Sequence, residues 1–368
     1  MLDTYTTLAL YSFVFLFSLY FLHISTTTKS KKYRIVFSVL SFLPLWFLNV
    51  FRAPYVGTDY INVGEAYSSV VNKNYHSVYN WFWFGLKIFC RIIGFIFSSN
   101  SFWFYLVLGS IFIIFLYKSI NNCEYKVFSL FLFLVFCLYL QSFNQSRQIV
   151  ALVIVLYSIK FLKEENFVKY FICILFAAIF HESSIIFIPL YFLKNIKINK
   201  KIVFCYLILM LLFYFNNNLI YNIISYSKYK IYFTTQYNIS NVSSSYINLI
   251  IRMFFLIFCL AFYKRLNNDK KYNFCYHMIF ICTILQILTI KFYFLGRITT
   301  YFYAFYIYIL PKCINLFLEK FDKNGRKFIL LLIIIMFVAY FLVYYFSSSG
   351  AVGSGYDHYG LYNMFYWK

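Results

Sequence analysis

The chain has 368 residues, of which 63% are hydrophobic and only 12% are charged. A soluble domain of this length needs many more charged side chains to cover its surface, so the composition excludes a soluble globular protein. Lys and Arg outnumber Asp and Glu by 33 to 11, but the basic residues stand in short loops between long apolar runs. This distribution is typical of the positive-inside bias of a membrane protein, and no nucleic-acid partner is expected.

A helical membrane span is predicted wherever about 20 apolar residues follow one another. No basic segment precedes the first apolar run, and the run lacks a convincing cleavage site. We therefore expect it to be a retained span and not a signal peptide. The predicted spans are, in chain order, about 6–23, 35–51, 101–117, 127–142, 147–163, 202–223, 247–263, 274–290, 298–317 and 328–346.

Two shorter apolar pieces, 167–180 and 184–193, flank the sequence FHESS and are predicted to form a broken helix or a tight hairpin. With them, the pattern predicts an all-α, polytopic integral membrane protein with about 11–12 transmembrane segments. No Pro-rich or Gly/Ser-rich linker separates a soluble part, so residues 1–368 are expected to form a single membrane-embedded domain.

Loops rich in Lys and Arg are assigned to the cytoplasm, which accounts for most of the 33 basic residues. Consistent alternation of the spans then requires segment 80–98 to lie in the outer interface as an amphipathic helix, with Lys87 and Arg91 at positions i and i+4. Two loops, 52–79 and 225–246, are expected on the same outer side.

Three arginines stand at predicted outer helix ends, against the positive-inside trend: Arg52, Arg147 and Arg297. Any one of them alone is explained by snorkelling to lipid phosphate. Together they indicate a phosphate-bearing ligand, because a guanidinium binds phosphate oxygens in a bidentate manner and stays charged. Metal-assisted binding of pyrophosphate needs clustered carboxylates, and the sequence has no D-x-D pair. We therefore expect neither a metal nor a cofactor.

Two residues are candidates for a general base. His181 interrupts the apolar run AAIFHESSIIFIP, with Glu182 beside it. A lone histidine in such a run is more often a hydrogen-bonded packing residue, but a position at a predicted helix break favours a proton-transfer role. Asp59, in VGTDY, is the second candidate, and its alternative role is that of a turn acid paired with Arg52.

Three sequence blocks carry a family resemblance. The first is FRAPYVGTDYINVGEAY (Phe51–Tyr67), and the second pairs SFNQSRQIVALVIVLYSIKFL with FAAIFHESSIIFIPLYFLKN. The third is LGRITTYFYAFYIYILP (Leu295–Pro311). In their order and spacing these blocks resemble the EpsG/Wzy-type polymerases of bacterial O-antigen, capsule and exopolysaccharide biosynthesis.

The resemblance implies a GT-C-like membrane glycosyltransferase of the bacterial cell envelope. It would join oligosaccharide repeat units carried on undecaprenyl pyrophosphate, without a metal, at the outer face of the cytoplasmic (inner) membrane. The expected partners are this lipid-linked oligosaccharide and the lipid bilayer, with a chain-length regulator and a flippase as further candidates.

The predicted catalytic residues are His181, Asp59 and Arg147, and the predicted substrate-binding residues are Arg52, Arg297, Gln148, Tyr60, Tyr301 and Lys291. Tyr301 follows Arg297 by four residues, which predicts a shared helix face. Two other functions stay open: an O-antigen-ligase-like transferase, and a flippase for lipid-linked oligosaccharides. A flippase needs charge along a path through the bilayer, whereas the residues singled out here are predicted at one face.

Overall fold

The structure, a computed structural model, describes residues 4–349 apart from 55, 58, 74–82, 217–220, 223–224 and 227–241. Throughout this described part every regular element is a helix, and the predicted all-α, polytopic membrane architecture is confirmed. Parts of the predicted outer loops 52–79 and 225–246, and the start of segment 80–98, lie outside the described residues.

The helices group into two compact units. The first unit contains the described residues of Met1–Phe161, Asn166–Ile188 and Phe321–Lys368. Its helices are α1 (Thr4–Thr27), α2 (Lys31–Val50), α3 (Tyr60–Val71), α4 (Phe84–Ile96), α5 (Ser101–Asn121), α6 (Lys126–Val135), α7 (Leu138–Asn144), α8 (Ser146–Lys163), α9 (Phe167–Phe180) and, near the end of the chain, α17 (Lys323–Ser349). A short helix, α10 (Phe187–Leu190), follows at the boundary.

The second unit contains the described residues of Leu162–Glu165 and Pro189–Lys320. Its helices are α11 (Lys200–Phe215), α12 (Val242–Leu260), α13 (Tyr263–Leu266), α14 (Lys270–Thr289), α15 (Gly296–Tyr303) and α16 (Tyr306–Leu318). A single 3₁₀ turn, Tyr293–Leu295, leads directly into α15.

Within the described residues, five helices are long and apolar enough to cross a membrane, namely α1, α2, α5, α14 and α17. Two further candidates are bent pairs: α6 with α7, at 47°, and the segment Tyr293–Tyr303 with α16, at 56°. Spans 127–142 and 298–317 were predicted as continuous helices, and in both the structure shows a break instead.

Neither break contains the Gly or Pro that would have revealed it in the sequence. At the first, Cys137 has a left-handed backbone with φ 57°, which ends the helical hydrogen-bond pattern. At the second, the amides of Phe305 and Tyr308 bond to carbonyls three residues back, as in a 3₁₀ helix. The predicted break at His181 is confirmed, because α9 ends at Phe180 and a 3₁₀ turn, Glu182–Ile186, follows.

Small polar side chains hold α1 against α2 in the first unit. The Ser41 hydroxyl donates to the carbonyl of Ser18 at 2.7 Å, and the hydroxyls of Ser25 and Ser38 lie 2.7 Å apart. Serine side chains let helix backbones approach closely while satisfying their own hydrogen bonds, which matters where no water is available.

The centre of the second unit is α14. In the most apolar stretch of this helix, 83% of the residues are buried inside the protein. Its Asn273 side chain donates to the carbonyls of Lys194 and Ile196 and accepts from the amide of Ile198. One turn later, His277 contacts the Ile196 carbonyl through Nε2 and the Tyr206 hydroxyl through Nδ1. Asn273 and His277 therefore fix the non-helical segment before α11 by satisfying its backbone groups.

Candidate functional site

Arg52 lies in the segment between α2 and α3 and is the most deeply buried cation of the first unit, with 1% of its surface exposed. Its Nε donates to the carbonyl of Val56 at 3.2 Å, and Nη1 donates to the carbonyl of Asn49. Three aromatic rings surround the guanidinium, with their centroids 5.1–5.2 Å from its central carbon: Tyr60, Tyr105 and Phe143. A buried charge is tolerated only with such partners.

The first residue of α3, Tyr60, stacks on Tyr105 of α5. The two ring centroids are 3.9 Å apart at an interplanar angle of 14°, and the Tyr105 hydroxyl donates to the Tyr60 carbonyl at 2.7 Å. Burial raises the pKa of the Tyr60 phenol above its usual range, and the neighbouring Arg52 charge partly offsets this rise. Tyr60 is therefore a neutral hydrogen-bonding group at physiological pH and not a titrating one.

Gly57 brings this segment against the C-terminal end of α7, just before the turn into α8. It has φ +100°, and a Cβ built on it would overlap the carbonyl of Phe143 and lie 3.2 Å from Oδ1 of Asn144. Only glycine fits both the backbone conformation and the space. As a result Asp59, two residues later and half-buried at the start of α3, belongs to a segment that is packed directly on the residues preceding α8.

Arg147 is half-buried in the first turn of α8, and the next residue, Gln148, is 3% exposed. The Arg147 charge acts electrostatically on Tyr105 of α5 and on Cys90 of α4. Burial raises the pKa of the Cys90 thiol, and Arg147 opposes that rise. The Arg147 charge is therefore within electrostatic range of α4 and α5.

His181 directly follows α9, with extended backbone, and its Nδ1 lies 2.6 Å from the Ser183 hydroxyl. The end of α9 packs on α4: the rings of Phe180 and Phe89 are 5.1 Å apart. Just before α4, the Trp83 indole donates to the Ile179 carbonyl at 2.9 Å. Phe89 and Cys90 are adjacent on α4, so this helix carries both the ring that packs on the end of α9 and the thiol on which the Arg147 charge acts.

Hydrogen bonds to the α4–α5 connection hold α3 in place. The Tyr67 hydroxyl donates to the carbonyl of Ser98 at 2.6 Å, and the Ser68 hydroxyl donates to that of Ser99 at 2.8 Å. Burial raises the pKa of Tyr67 to about 12, so its phenol stays protonated and keeps donating. These bonds fix α3 and, with it, the backbone position of Asp59.

Three predicted site residues belong to the second unit. Lys291 and Arg297 are exposed, at the end of α14 and in the first turn of α15. Tyr301 is 1% exposed, so it is packed inside the unit although it follows Arg297 by four residues on the same helix.

Sequence reasoning missed one charged residue, Arg252, which lies inside α12 and not at a helix end. In the sequence this arginine stands within the apolar run 247–263, away from the predicted outer helix ends at which Arg52, Arg147 and Arg297 are found. No group of three or more His, Cys, Asp or Glu residues suited to a metal ion occurs in the described part of the chain.

The chain matches the family model described as the EpsG family over residues 35–361. This range includes all three sequence blocks and every predicted site residue. No curated protein and no solved structure is detectably similar to the chain.

Replacing Gly57 by Ala tests whether the packing of this segment matters. The Cβ would force the Arg52–Tyr60 segment away from the Phe143 carbonyl, in a backbone conformation that alanine rarely adopts. We expect a loss of about 1–3 kcal/mol of stability, measured as a lower Tm of the purified protein. Gly296→Ala is the matched control: a Cβ there meets nothing within 4 Å and the backbone is helical, so its Tm should be unchanged or higher. Equal Tm values for the two variants would contradict the packing role of Gly57.

Proposed function

The chain belongs to the EpsG family, and from this premise we propose that it joins undecaprenyl-pyrophosphate-linked oligosaccharide repeat units on the outer face of the bacterial cytoplasmic membrane. The family supports a role of the polysaccharide-polymerase type, with glycosyltransferase-like chemistry in a multi-pass membrane protein. The lipid carrier, the outward orientation, the metal independence and a GT-C-like arrangement are parts of the proposal.

The proposed reaction transfers a growing glycan from its lipid to the end of another lipid-linked unit. A hydroxyl of the acceptor sugar attacks the anomeric carbon of the donor, and the bond from that carbon to the pyrophosphate oxygen breaks. A base takes the hydroxyl proton, and undecaprenyl pyrophosphate leaves with the bonding electrons. Negative charge therefore grows on the leaving oxygen, where a preorganised cation is worth about 3 kcal/mol.

The observation that carries this proposal is the arrangement around α4 in the first unit. Arg147 acts on Cys90 of this helix, while the adjacent Phe89 packs against Phe180, the residue before His181. The Arg147 charge thus acts on the same helix on which the end of α9, just before His181, packs. Asp59 belongs to the segment that Gly57 packs onto the C-terminal end of α7, before Arg147. We assign Arg147 to the pyrophosphate and His181 to the acceptor hydroxyl, with Asp59 as the alternative base.

The other predicted residues receive supporting roles. Gln148 and Tyr60, neighbours of Arg147 and Arg52, are proposed to orient sugar or phosphate groups. Arg52 is held by two backbone carbonyls and three rings, which supports positioning of the Asp59 segment more strongly than direct contact with the ligand. In the second unit, the exposed side chains of Lys291 and Arg297 are proposed to contact phosphate, and Tyr301 to support their helix.

Reconstitution with a lipid-linked repeat unit tests the function. In liposomes containing the purified chain, we expect a ladder of products that grows by whole repeat units, because donor and acceptor are the same lipid-linked molecule. The ladder should form unchanged in EDTA if no metal takes part. Transfer only to an added lipid-free or different glycan acceptor would indicate a ligase instead. Movement of the substrate across the bilayer without chain growth would indicate a flippase and overturn the proposal.

Replacing Arg147 by Lys keeps the charge and removes the planar fork of donors. Because the leaving pyrophosphate is proposed to be bound through two parallel hydrogen bonds, we expect kcat for chain growth to fall about 10- to 100-fold. Arg34→Lys is the matched control, since Arg34 is exposed and bonds only to the carbonyls of the α1–α2 turn. Normal polymerisation by the Arg147→Lys protein would show that the bidentate contact is not used.

Variants of His181 and Asp59 distinguish the two candidate bases. His181→Ala should slow chain growth about 10²- to 10⁴-fold, and added imidazole should restore part of the rate by replacing the missing side chain. Asp59→Asn should reduce the rate less, and imidazole should not affect it. His23→Ala, which alters an exposed histidine of α1, is the control and should keep the normal rate. A larger loss in Asp59→Asn, with no imidazole rescue of His181→Ala, would assign the base to Asp59.

A further inference from the structure

One arginine of the second unit lies within an apolar helix and not at its end. Arg252 stands between Ser245 and Leu260, the limits of the apolar part of α12, about 10–12 Å from either limit. The side chain is half-buried. Charges at such a depth are costly and are usually retained for a function, so the groups around the guanidinium decide what that function is.

The guanidinium has weak partners. Its central carbon lies 4.8 Å from the ring centroid of Tyr303, at the end of α15, and it interacts with the thiol of Cys282 on α14. Its Nη1 is buried and has no hydrogen-bond partner among the described residues. A ring face and a thiol together do not replace the hydration of a cation whose five donors all need acceptors.

No described carboxylate pairs with Arg252. The ion pairs of this unit that involve acidic side chains stand elsewhere, in exposed turns: Arg265 with Glu319 and Lys270 with Glu165. Arg252 thus differs from Arg265, which has an acidic partner and a largely exposed side chain. Among the described residues, Arg252 therefore has one donor, Nη1, without an acceptor, and no carboxylate neutralises its charge.

A group of polar residues lies towards the N-terminal end of α12, where Ser245 stands seven residues before Arg252. The Gln286 amide donates to the Ser245 carbonyl at 3.1 Å and to the Thr289 hydroxyl at 2.8 Å, and all three residues are buried. Tyr306 donates to the carbonyl of Arg252 itself, at the bend between α15 and α16. Polar groups other than Arg252 therefore occur along this part of α12, within an otherwise apolar set of helices.

We propose that Arg252 binds the phosphate oxyanion of a lipid headgroup within the second unit, with Tyr303 holding the guanidinium in place. Two ligands have this chemistry. The first is the pyrophosphate of the polyprenyl substrate, and for this ligand the inference rests on the proposed function. The other ligand of the same chemistry is an anionic phospholipid of the surrounding bilayer. In both cases the guanidinium supplies a fork of donors that matches phosphate oxygens.

The test compares an anionic and a neutral lipid that share a polyprenyl tail, and adds an anionic phospholipid in a separate arm. The full-length protein in neutral-lipid nanodiscs is titrated with undecaprenyl pyrophosphate, with undecaprenol and, in a separate arm, with phosphatidylglycerol. We expect Arg252→Met to weaken the binding of an anionic lipid at least about tenfold while the Kd for undecaprenol stays the same. Weaker binding of undecaprenyl pyrophosphate identifies the substrate headgroup as the ligand. Weaker binding of phosphatidylglycerol alone identifies the bilayer phospholipid.

Arg265→Met is the matched control, because it removes an exposed arginine of the same unit, and its Kd values should equal those of the wild type. If the Arg252→Met protein does not elute as a monodisperse species, Arg252→Lys replaces it in the test. Lysine keeps the charge but lacks the planar pair of donors, so the Kd for the anionic lipid should rise while the Kd for undecaprenol stays the same. Unchanged anionic binding, or equal weakening for undecaprenol, would overturn the inference. Chain growth by the wild-type protein is measured in parallel, so failure of the proposed polymerase function is recognised separately.

Discussion

The first unit depends on the burial of one positive charge, that of Arg52. Removing a guanidinium from water costs several kcal/mol unless its donors find acceptors and its faces find polarisable groups. Two carbonyls and three aromatic rings meet this need, and they come from the end of α2, the following segment, α3, α5 and α7. Since all of these elements must be in place together, Arg52 couples the position of the Asp59 segment to the packing of the whole unit.

Two cations described in the second unit have fewer polar partners than Arg52: Lys194, which is buried, and Arg252, which is half-buried. Lys194 is 4% exposed, with its Nζ 3.8 Å from the ring centroid of Tyr191, and Arg252 has a ring, a thiol and an Nη1 without an acceptor among the described residues. Arg52 is held by two backbone carbonyls and three rings of its own unit and so contributes to structure, whereas Arg252 is the arginine for which we propose an anionic ligand. Burial alone therefore does not separate a structural arginine from a binding one.

Much of the fold could be predicted because apolar runs of about 20 residues have few alternatives to a membrane helix. The break at His181 was also predictable, since polar residues interrupt an apolar run there. The breaks at Cys137 and after Tyr303 were not, because tertiary packing imposes them on sequences with no Gly or Pro. For the site, the position of Arg52 and Arg147 at predicted helix ends was enough to select them as candidates. The direction in which each side chain points could not be predicted, because contacts with residues distant in sequence determine it. Arg252 was missed because its neighbours along the chain are apolar.

The charge balance of the chain determines which groups can neutralise Arg252. The chain carries 33 Lys and Arg against 11 Asp and Glu, so most of its cations have no carboxylate to pair with. At the membrane surface, water and lipid phosphates neutralise them, but inside an apolar bundle neither is abundant. A carboxylate beside Arg252 would stabilise the empty protein and compete with the ligand. Without one, the electrostatic cost of this half-buried cation is relieved when a phosphate binds, which is the physical reason for the ligand that we propose at Arg252.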